Sequence, residues 1–129
     1  MMQHSMTIAS LLLAISAVAA SGAYQAVWDQ CNRTRDADAS IVACTQILKA
    51  PDETNSNRAI TYYVRAGVYR IKGDNDQAIA DYTKAIEINP QHVAAYNSRS
   101  KAFEARGEID RAIADHKKAI EINQPYRSE

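Results

Sequence analysis

The sequence predicts an all-α fold, an alpha-alpha superhelix of about three helical hairpins, of which the first is degenerate. The main observation is a 34-residue pattern that is written twice. Residues 59–92 and 93–126, aligned without a gap, are identical at 14 of 34 positions. Apolar residues at helical spacing, and a glycine at the same place in each copy, support this interpretation. Fixed-period self-similarity is typical of stacked repeat proteins.

Composition narrows the class of function. The 129 residues suffice for one domain with a modest core. The 15 basic and 15 acidic residues balance, so the charge predicts neither nucleic acid nor an anionic membrane surface as a partner. The sequence shows no nucleophile with a base, no glycine-rich phosphate loop and no acidic metal cluster. It therefore predicts a protein that is not an enzyme and that has no cofactor and no metal site.

Residues 1–23 form a separate segment, because they contain no Asp, Glu, Lys or Arg. Residues 8–20 are an unbroken run of apolar and small residues. This run is shorter than the ~20 residues that span a bilayer, and it ends in small residues that a signal peptidase accepts. We expect a signal peptide over 1–23 and a secreted or periplasmic mature chain without membrane insertion. Because residues 1–6 lack Lys and Arg, an uncleaved membrane anchor or a cytosolic tail remains the alternative.

Residues 24–57 predict the degenerate first hairpin. Extending the 34-residue frame backwards places Trp28 in the column of Tyr62 and Cys44 in the column of Ala78. Residues 33–38 are a polar connector between the two helices. Pro51 predicts an early end of the second helix, and residues 51–57 predict a turn-rich linker.

Cys31 and Cys44 are the only cysteines, on the helix faces that are expected to meet. Twelve residues separate them, whereas a thioredoxin-like catalytic pair has two. Two interpretations stay open. They are a pair of small buried apolar residues, or a structural disulfide bond, which export to an oxidising compartment favours. A slow thiol–disulfide couple is the enzymatic alternative.

Residues 58–124 predict two full hairpins, followed by a tail over 125–129. Residues 60–72 and 75–88 are the two helices of the first, with Gly73 supplying a left-handed helix end and Asp74 an N-cap. Gly107 repeats this turn. The second helix of each hairpin is expected to bury one apolar face, made of Ala78, Ile79, Tyr82, Ala85 and Ile86, and of Ala112, Ile113, His116, Ala119 and Ile120.

These columns carry a family resemblance. The repeat at 59–92 has Tyr62, Tyr69, Ala78, Tyr82 and Pro90. Tetratricopeptide repeats have an aromatic, an aromatic, an alanine, an aromatic and a proline residue at these positions. The next repeat has Tyr96, Phe103, Ala112 and His116 in the same places. The chain thus resembles the tetratricopeptide repeat (TPR) family. The match is strong over 59–124 and weak over 25–58. The resemblance implies structural roles for Trp28, Tyr62, Tyr69, Gly73, Ala78, Tyr96, Phe103, Gly107 and Ala112.

The resemblance also implies where a partner binds. In this family the first helix of each hairpin lines a concave groove that holds a peptide or a partner helix. By column, the predicted partner-binding residues are Tyr63, Arg70, Asn97, Lys101 and Glu104, with Ile60, Val64, Gly67, Ala94 and Ser98 beside them and Asp29, Gln30 and Arg33 in the degenerate unit. Arg70, Asn97 and Lys101 suit an acidic or carboxylate-bearing segment. A groove that stays solvated is the alternative.

Two polar features are interpreted as structural. Arg65 and Asp81 recur together as Arg99 and Asp115, which predicts an ion pair across each hairpin. His116 stands in an aromatic column and is expected in the core. His92 has no second metal ligand at suitable spacing.

The last predicted helix gives a second candidate function. Solenoids need terminal caps, and the face from Ile109 to Ile122 has no predicted cover. We therefore keep the alternative of a structural homo-oligomer, or a subunit of an envelope complex, that assembles through this helix.

Overall fold

The computed structural model describes residues 22–33 and 35–125. These residues contain six helices and no strand. The predicted signal peptide lies outside the described residues except for Gly22 and Ala23, and none of the described helices is long and apolar enough to cross a membrane. The helices are α1 (described over residues 22–32), α2 (Ala37–Lys49), α3 (Asn55–Ile71), α4 (Asn75–Ile88), α5 (Val93–Ala105) and α6 (Ile109–Asn123).

Each helix packs against its neighbours in the chain, as in a stack of hairpins. The pairs α3–α4 and α5–α6 form hairpins, α2 packs on α3, α4 packs on α5, and α3 also contacts α5. The central core consists of small residues around one aromatic ring, and its buried members are Ala66, Ala78, Tyr82, Ala85 and Ala95. A second core in the first hairpin contains Cys31, Ala43, Cys44 and Ile47, with Val27, Trp28 and Val64 packed against it. The all-α superhelix predicted from the repeat is confirmed.

The predicted turn between paired helices is present in both full hairpins. Gly73 and Gly107 have φ values of 82° and 78°, which a side chain rarely adopts. The Asp74 carboxylate accepts a hydrogen bond from the Gln77 backbone N–H and so caps α4. Residue chemistry therefore fixes these turns locally.

The repeat frame predicted for the second helix of the first hairpin is wrong by one helical turn. The buried residues of α2 are Ser40, Ala43, Cys44 and Ile47. Those of α4 are Ala78, Asp81, Tyr82 and Ala85, each 38 positions later rather than 34. Cys44 thus stands in the column of Tyr82, not of Ala78.

An extra helical turn causes this shift. Thr54 and His92 are the N-caps of α3 and α5, yet α3 has 17 residues and α5 has 13. The additional turn is residues 55–58, which the sequence assigned to a linker and to the start of the next repeat. α2 has 13 residues against 14 in α4, so the early end predicted from Pro51 amounts to one residue. The first hairpin is a complete unit whose connection to the next carries four more residues.

Arg58 links the additional turn, residues 55–58, to the end of α2 by hydrogen bonds. Its guanidinium donates hydrogen bonds to the carbonyl oxygens of Leu48 and Ala50, both at 2.7 Å, and to that of Glu53 at 3.3 Å. These are carbonyls at and beyond the end of α2, where no helical N–H remains to satisfy them. A cation there also opposes the negative end of the helix dipole.

The predicted burial of the last helix is wrong at three positions. Ile113 and Ile120 are 47% and 48% exposed, and His116 is exposed rather than in the core. Their counterparts Ile79, Tyr82 and Ile86 are partly or fully buried. The reason is that α5 covers this face of α4, whereas none of the described helices covers it on α6.

Candidate functional site

A cavity of about 190 Å³ opens where the first helices of the hairpins come together. α3 contributes most of its lining, and α1, α4 and α5 each contribute one side chain. The lining residues are Asn32, Tyr63, Val64, Gly67, Val68, Arg70, Ile71, Tyr82 and Ser98. We call this the groove cavity. It contains Tyr63 and Arg70, two of the five predicted partner-binding residues.

Tyr82 brings a hydroxyl group to this cavity from the buried core. A side-chain carbon added at Gly67 would lie 3.8 Å from that hydroxyl, which is an ordinary contact distance, so Gly67 lies directly beside the hydroxyl. Burial raises the pKa of Tyr82, and interactions with the side chains of Arg70 and Ser98 act in the opposite direction. The sequence placed Tyr82 in the core alone. Tyr82 occupies an aromatic column of the repeat, and that pattern does not indicate that its hydroxyl group reaches the groove.

Two aromatic rings, those of Tyr63 and Tyr82, line the groove cavity, and the His92 ring packs on Tyr63 from a neighbouring cavity. The Tyr63 ring lies 5.8 Å from the Tyr82 ring and 5.0 Å from the His92 ring, in tilted orientations. Burial lowers the pKa of His92, which favours the neutral form of its imidazole. His92 Nδ1 also accepts a hydrogen bond from the Ala95 N–H, at 3.2 Å. The helix cap therefore holds the ring against Tyr63.

The other three predicted groove residues lie outside the groove cavity. Asn97 and Lys101 are on α5, in the columns of Tyr63 and Gly67, which do line it. The repeat thus places them on the equivalent face of the next hairpin. Glu104 stands in the column of Arg70 and lines a second cavity of about 290 Å³ with Ala112, Ile113, His116 and Lys117. The five residues therefore do not share one cavity.

The two cysteines meet inside the first hairpin. Their sulfur atoms are 2.10 Å apart, a disulfide distance, and both residues are fully buried. Ser40, one turn before Cys44, donates a hydrogen bond from its hydroxyl to the Gln30 carbonyl oxygen at 3.1 Å. The cysteine pair therefore lies between α1 and α2, next to Asn32 of the groove cavity.

The predicted ion pairs are present and reach further than one hairpin. The Arg65 guanidinium donates to both carboxylate oxygens of Asp81, at 2.7 and 2.8 Å, and also to the Thr45 hydroxyl of α2 at 3.0 Å. Arg99 repeats this arrangement with Asp115, at 2.6 and 2.7 Å, and with Thr83 of α4 at 3.0 Å. Each arginine thus joins its own hairpin to the preceding one. These groups are structural rather than exposed to a ligand.

The described part of the chain shows no group of three or more His, Cys, Asp or Glu side chains that is able to hold a metal ion. The fold is a solenoid of helical hairpins, with a cavity between the first helices of the hairpins. These features define the class of protein, an all-α helical-repeat protein.

Comparison with protein families agrees with that class. A tetratricopeptide repeat family model matches residues 59–92, and a second tetratricopeptide repeat model matches residues 81–114, one helix out of phase with the first. The chain belongs to the tetratricopeptide repeat family, which is generally a non-catalytic protein-interaction fold. None of the curated proteins matches the sequence.

Solved structures give the same fold. Two crystal structures of MamA are 33% identical over 68% of this chain, with TM-scores of 0.63 and 0.62. The chain spans about half of their length, 49% and 46%. The first TPR of Spaghetti (RPAP3), bound to the HSP90 peptide SRMEEVD, is 21% identical with a TM-score of 0.62, over 70% of this chain and 69% of its own.

Proposed function

We propose that this protein is a non-catalytic interaction module that binds an extended, acidic segment of a partner protein in its concave groove. The observation that carries the proposal is the groove cavity. There a guanidinium, two hydroxyls and an amide, from Arg70, Tyr82, Ser98 and Asn32, surround a small opening next to aromatic rings. Such a cavity suits one side chain of a peptide, with the polar groups fixing its orientation.

The charge of the groove cavity favours an acidic ligand, because the charged residue in its lining is Arg70. Arg70 is exposed in the groove cavity, and Lys101 is exposed one repeat further along the same face. An arginine binds a carboxylate with two parallel hydrogen bonds, and a lysine adds a point charge. Peptide binding by the Spaghetti repeat domain, which has the same fold, supports this ligand class.

The proposal is tested by calorimetric titration with two synthetic heptapeptides. One is the acidic SRMEEVD, and the other carries Gln and Asn in place of its acidic residues and an amidated C-terminus. We expect micromolar binding of the acidic peptide only, weakening with salt because the contacts are between charges. The variants Arg70→Ala and Lys101→Ala should each weaken it about tenfold, the value of one charged hydrogen bond.

Gly67→Leu provides a steric test of the same site. A leucine side chain there would fill the cavity in front of the Tyr82 hydroxyl, and binding should be lost without a change in helicity. Lys84→Ala is the matched control, because Lys84 is an exposed lysine of α4 outside the groove cavity. Equal binding of the two peptides, or no effect of Arg70→Ala and Gly67→Leu, would refute the proposal.

We also propose that the protein works in an oxidising compartment such as a bacterial periplasm. The signal-like segment before residue 24 and the cysteine pair at disulfide distance support this location. Mass analysis of the native protein tests both points. A mature chain that begins near Tyr24 and contains no free thiol is expected. An intact Met1 with two reactive thiols would contradict the proposal.

A further inference from the structure

We propose that a second copy of this chain covers the exposed face of α6, in a two-fold symmetric dimer. The relevant surface, which we call the α6 face, consists of Ile109, Ile113, His116, Lys117 and Ile120. Ile109 is 53% exposed, and the other two isoleucines are exposed to nearly the same degree. The residues of α4 that stand 34 positions earlier are covered by α5. The α6 face therefore corresponds to a surface on which a helix packs in the preceding hairpin.

The α6 face does not suit a further repeat of the same kind. In both full hairpins an arginine of the first helix reaches back to a threonine, Thr45 or Thr83, on the preceding helix. On α6 the column of Thr83 holds Lys117. An incoming arginine would therefore meet a lysine, and like charges at such a contact oppose binding.

The α6 face is self-complementary along its length. Its apolar stripe has Ile109, Ile113, His116 and Ile120 at spacings of four, three and four, so these residues share one helix side. The midpoint between residues 109 and 120 is also the midpoint between residues 113 and 116, so both pairs are centred on the same point of α6. In an antiparallel pair about that point, Ile109 meets Ile120 of the second copy and Ile113 meets its His116. A two-fold axis requires such mutual pairing.

The charges obey the same symmetry. About the same point, Lys117 of one copy lies at the height of Ala112 of the other, and Glu104, Ala112 and Lys117 line one cavity in each copy. Neither Glu104 nor Lys117 forms an ion pair within the described residues. The dimer would therefore join Glu104 and Lys117 between copies, twice. Two single-helix faces bury a small interface, so we expect a weak dimer, with a Kd of about 10–100 µM.

Sedimentation equilibrium of the full chain tests the proposal. The wild type should show a monomer–dimer equilibrium, and Ile113→Lys should be monomeric at ~100 µM because it places a charge in the apolar stripe. Val42→Lys is the matched control. Val42 is 58% exposed on α2, away from the α6 face, and its substitution should leave association unchanged.

A charge exchange separates this dimer from non-specific association. Glu104→Lys and Lys117→Glu should each weaken the dimer about tenfold, because each creates two like-charge contacts. The double variant should recover wild-type association within about threefold. A wild type that is monomeric at ~100 µM, a double variant no tighter than the single ones, or equal loss in Val42→Lys would each overturn the proposal.

Discussion

The arginines of the first helices illustrate how one side chain stabilises two packing contacts. The Arg65 side chain is 17% exposed and its partner Asp81 is 5% exposed, so the pair is largely removed from water. The hydrogen bonds that Arg65 donates to Asp81 raise the pKa of Arg65, which stays charged in the folded protein. Tyr62 and Tyr69 flank the guanidinium at 5.6 and 6.0 Å, an arrangement that suits a cation.

A double-mutant cycle tests this pair. Arg65→Ala and Asp81→Ala should each lower the free energy of unfolding by about 3 kcal/mol, because each leaves a buried charge without its partner. The double variant should cost less than the sum by ~1–3 kcal/mol, measured by urea unfolding. The control is the pair Lys84 and Glu87, exposed by 58% and 57%, where substitution should cost at most ~0.5 kcal/mol. Additive effects at Arg65 and Asp81 would contradict the structure.

Two glycines should respond to alanine with opposite signs. Gly67 lies within α3, and an added carbon would be in ordinary contact, so Gly67→Ala should raise the free energy of unfolding by ~0.5–1 kcal/mol. Gly73 has a left-handed backbone, so Gly73→Ala should lower it by ~1 kcal/mol although the space is open. Thermal unfolding of both variants measures this, and shifts of equal sign would be inconsistent with these two backbone conformations.

At the scale of elements, the helix starts are set by side chains that accept backbone hydrogen bonds. Asp36, Thr54 and Asp74 cap α2, α3 and α4 in this way, with oxygen acceptors. α5 uses the His92 imidazole instead. This acceptor is lost when Nδ1 takes up a proton, and the resulting cation would also face the positive end of the helix dipole.

The cap of α5 predicts a pH-dependent stability. Burial lowers the pKa of His92 in the folded state below its ordinary value of 6.5. The stabilisation is therefore complete above pH 6.5 and is lost as the pH falls through the folded-state pKa. We expect a loss of about 0.5–1 kcal/mol below that range, the size of one cap bond. His92→Asn, which caps without titrating, should flatten the curve of stability against pH, and an unchanged curve would exclude His92 as its cause.

The elements also show where sequence comparison reached its limit. The 34-residue identity located Gly73, Gly107 and both ion pairs, because these positions recur in two intact copies. It misplaced α2, because no residue identity marks the extra turn at 55–58. Only the burial of Ser40, Ala43, Cys44 and Ile47 shows that the frame shifts by four residues.

At the scale of the whole molecule, hydrogen bonds between neighbouring hairpins stabilise the stack. Arg65 bonds to Thr45 and Arg99 bonds to Thr83, while Arg58 holds the carbonyl end of α2. Within residues 22–33 and 35–125, each hairpin otherwise contacts only its neighbours, so this part of the molecule behaves as a short linear array. The first hairpin differs from the other two in having the cysteine pair between its helices.

Reduction of the cysteine pair should therefore act mainly on the first hairpin. For a loop of this length a disulfide contributes ~3 kcal/mol, chiefly by restricting the unfolded chain. Hydrogen exchange with and without reductant should show lost protection in α1 and α2 and retained protection in α4 and α6. A variant with serine at both cysteine positions should not respond to reductant. Equal loss of protection in all helices would show that the array unfolds as one unit.

The sequence by itself determined the helical hairpins, their turns, their family and the buried ion pairs, because these depend on local residue chemistry that two intact copies repeat. The tertiary structure decided what neighbouring helices do to identical columns. It brought the Tyr82 hydroxyl to Arg70 and Ser98 in the groove, and it left His116 of the same column exposed on α6. The physical reason is that a side chain is buried only where two surfaces pack against each other. A column pattern specifies one of them, and the packing of the next helix supplies the other.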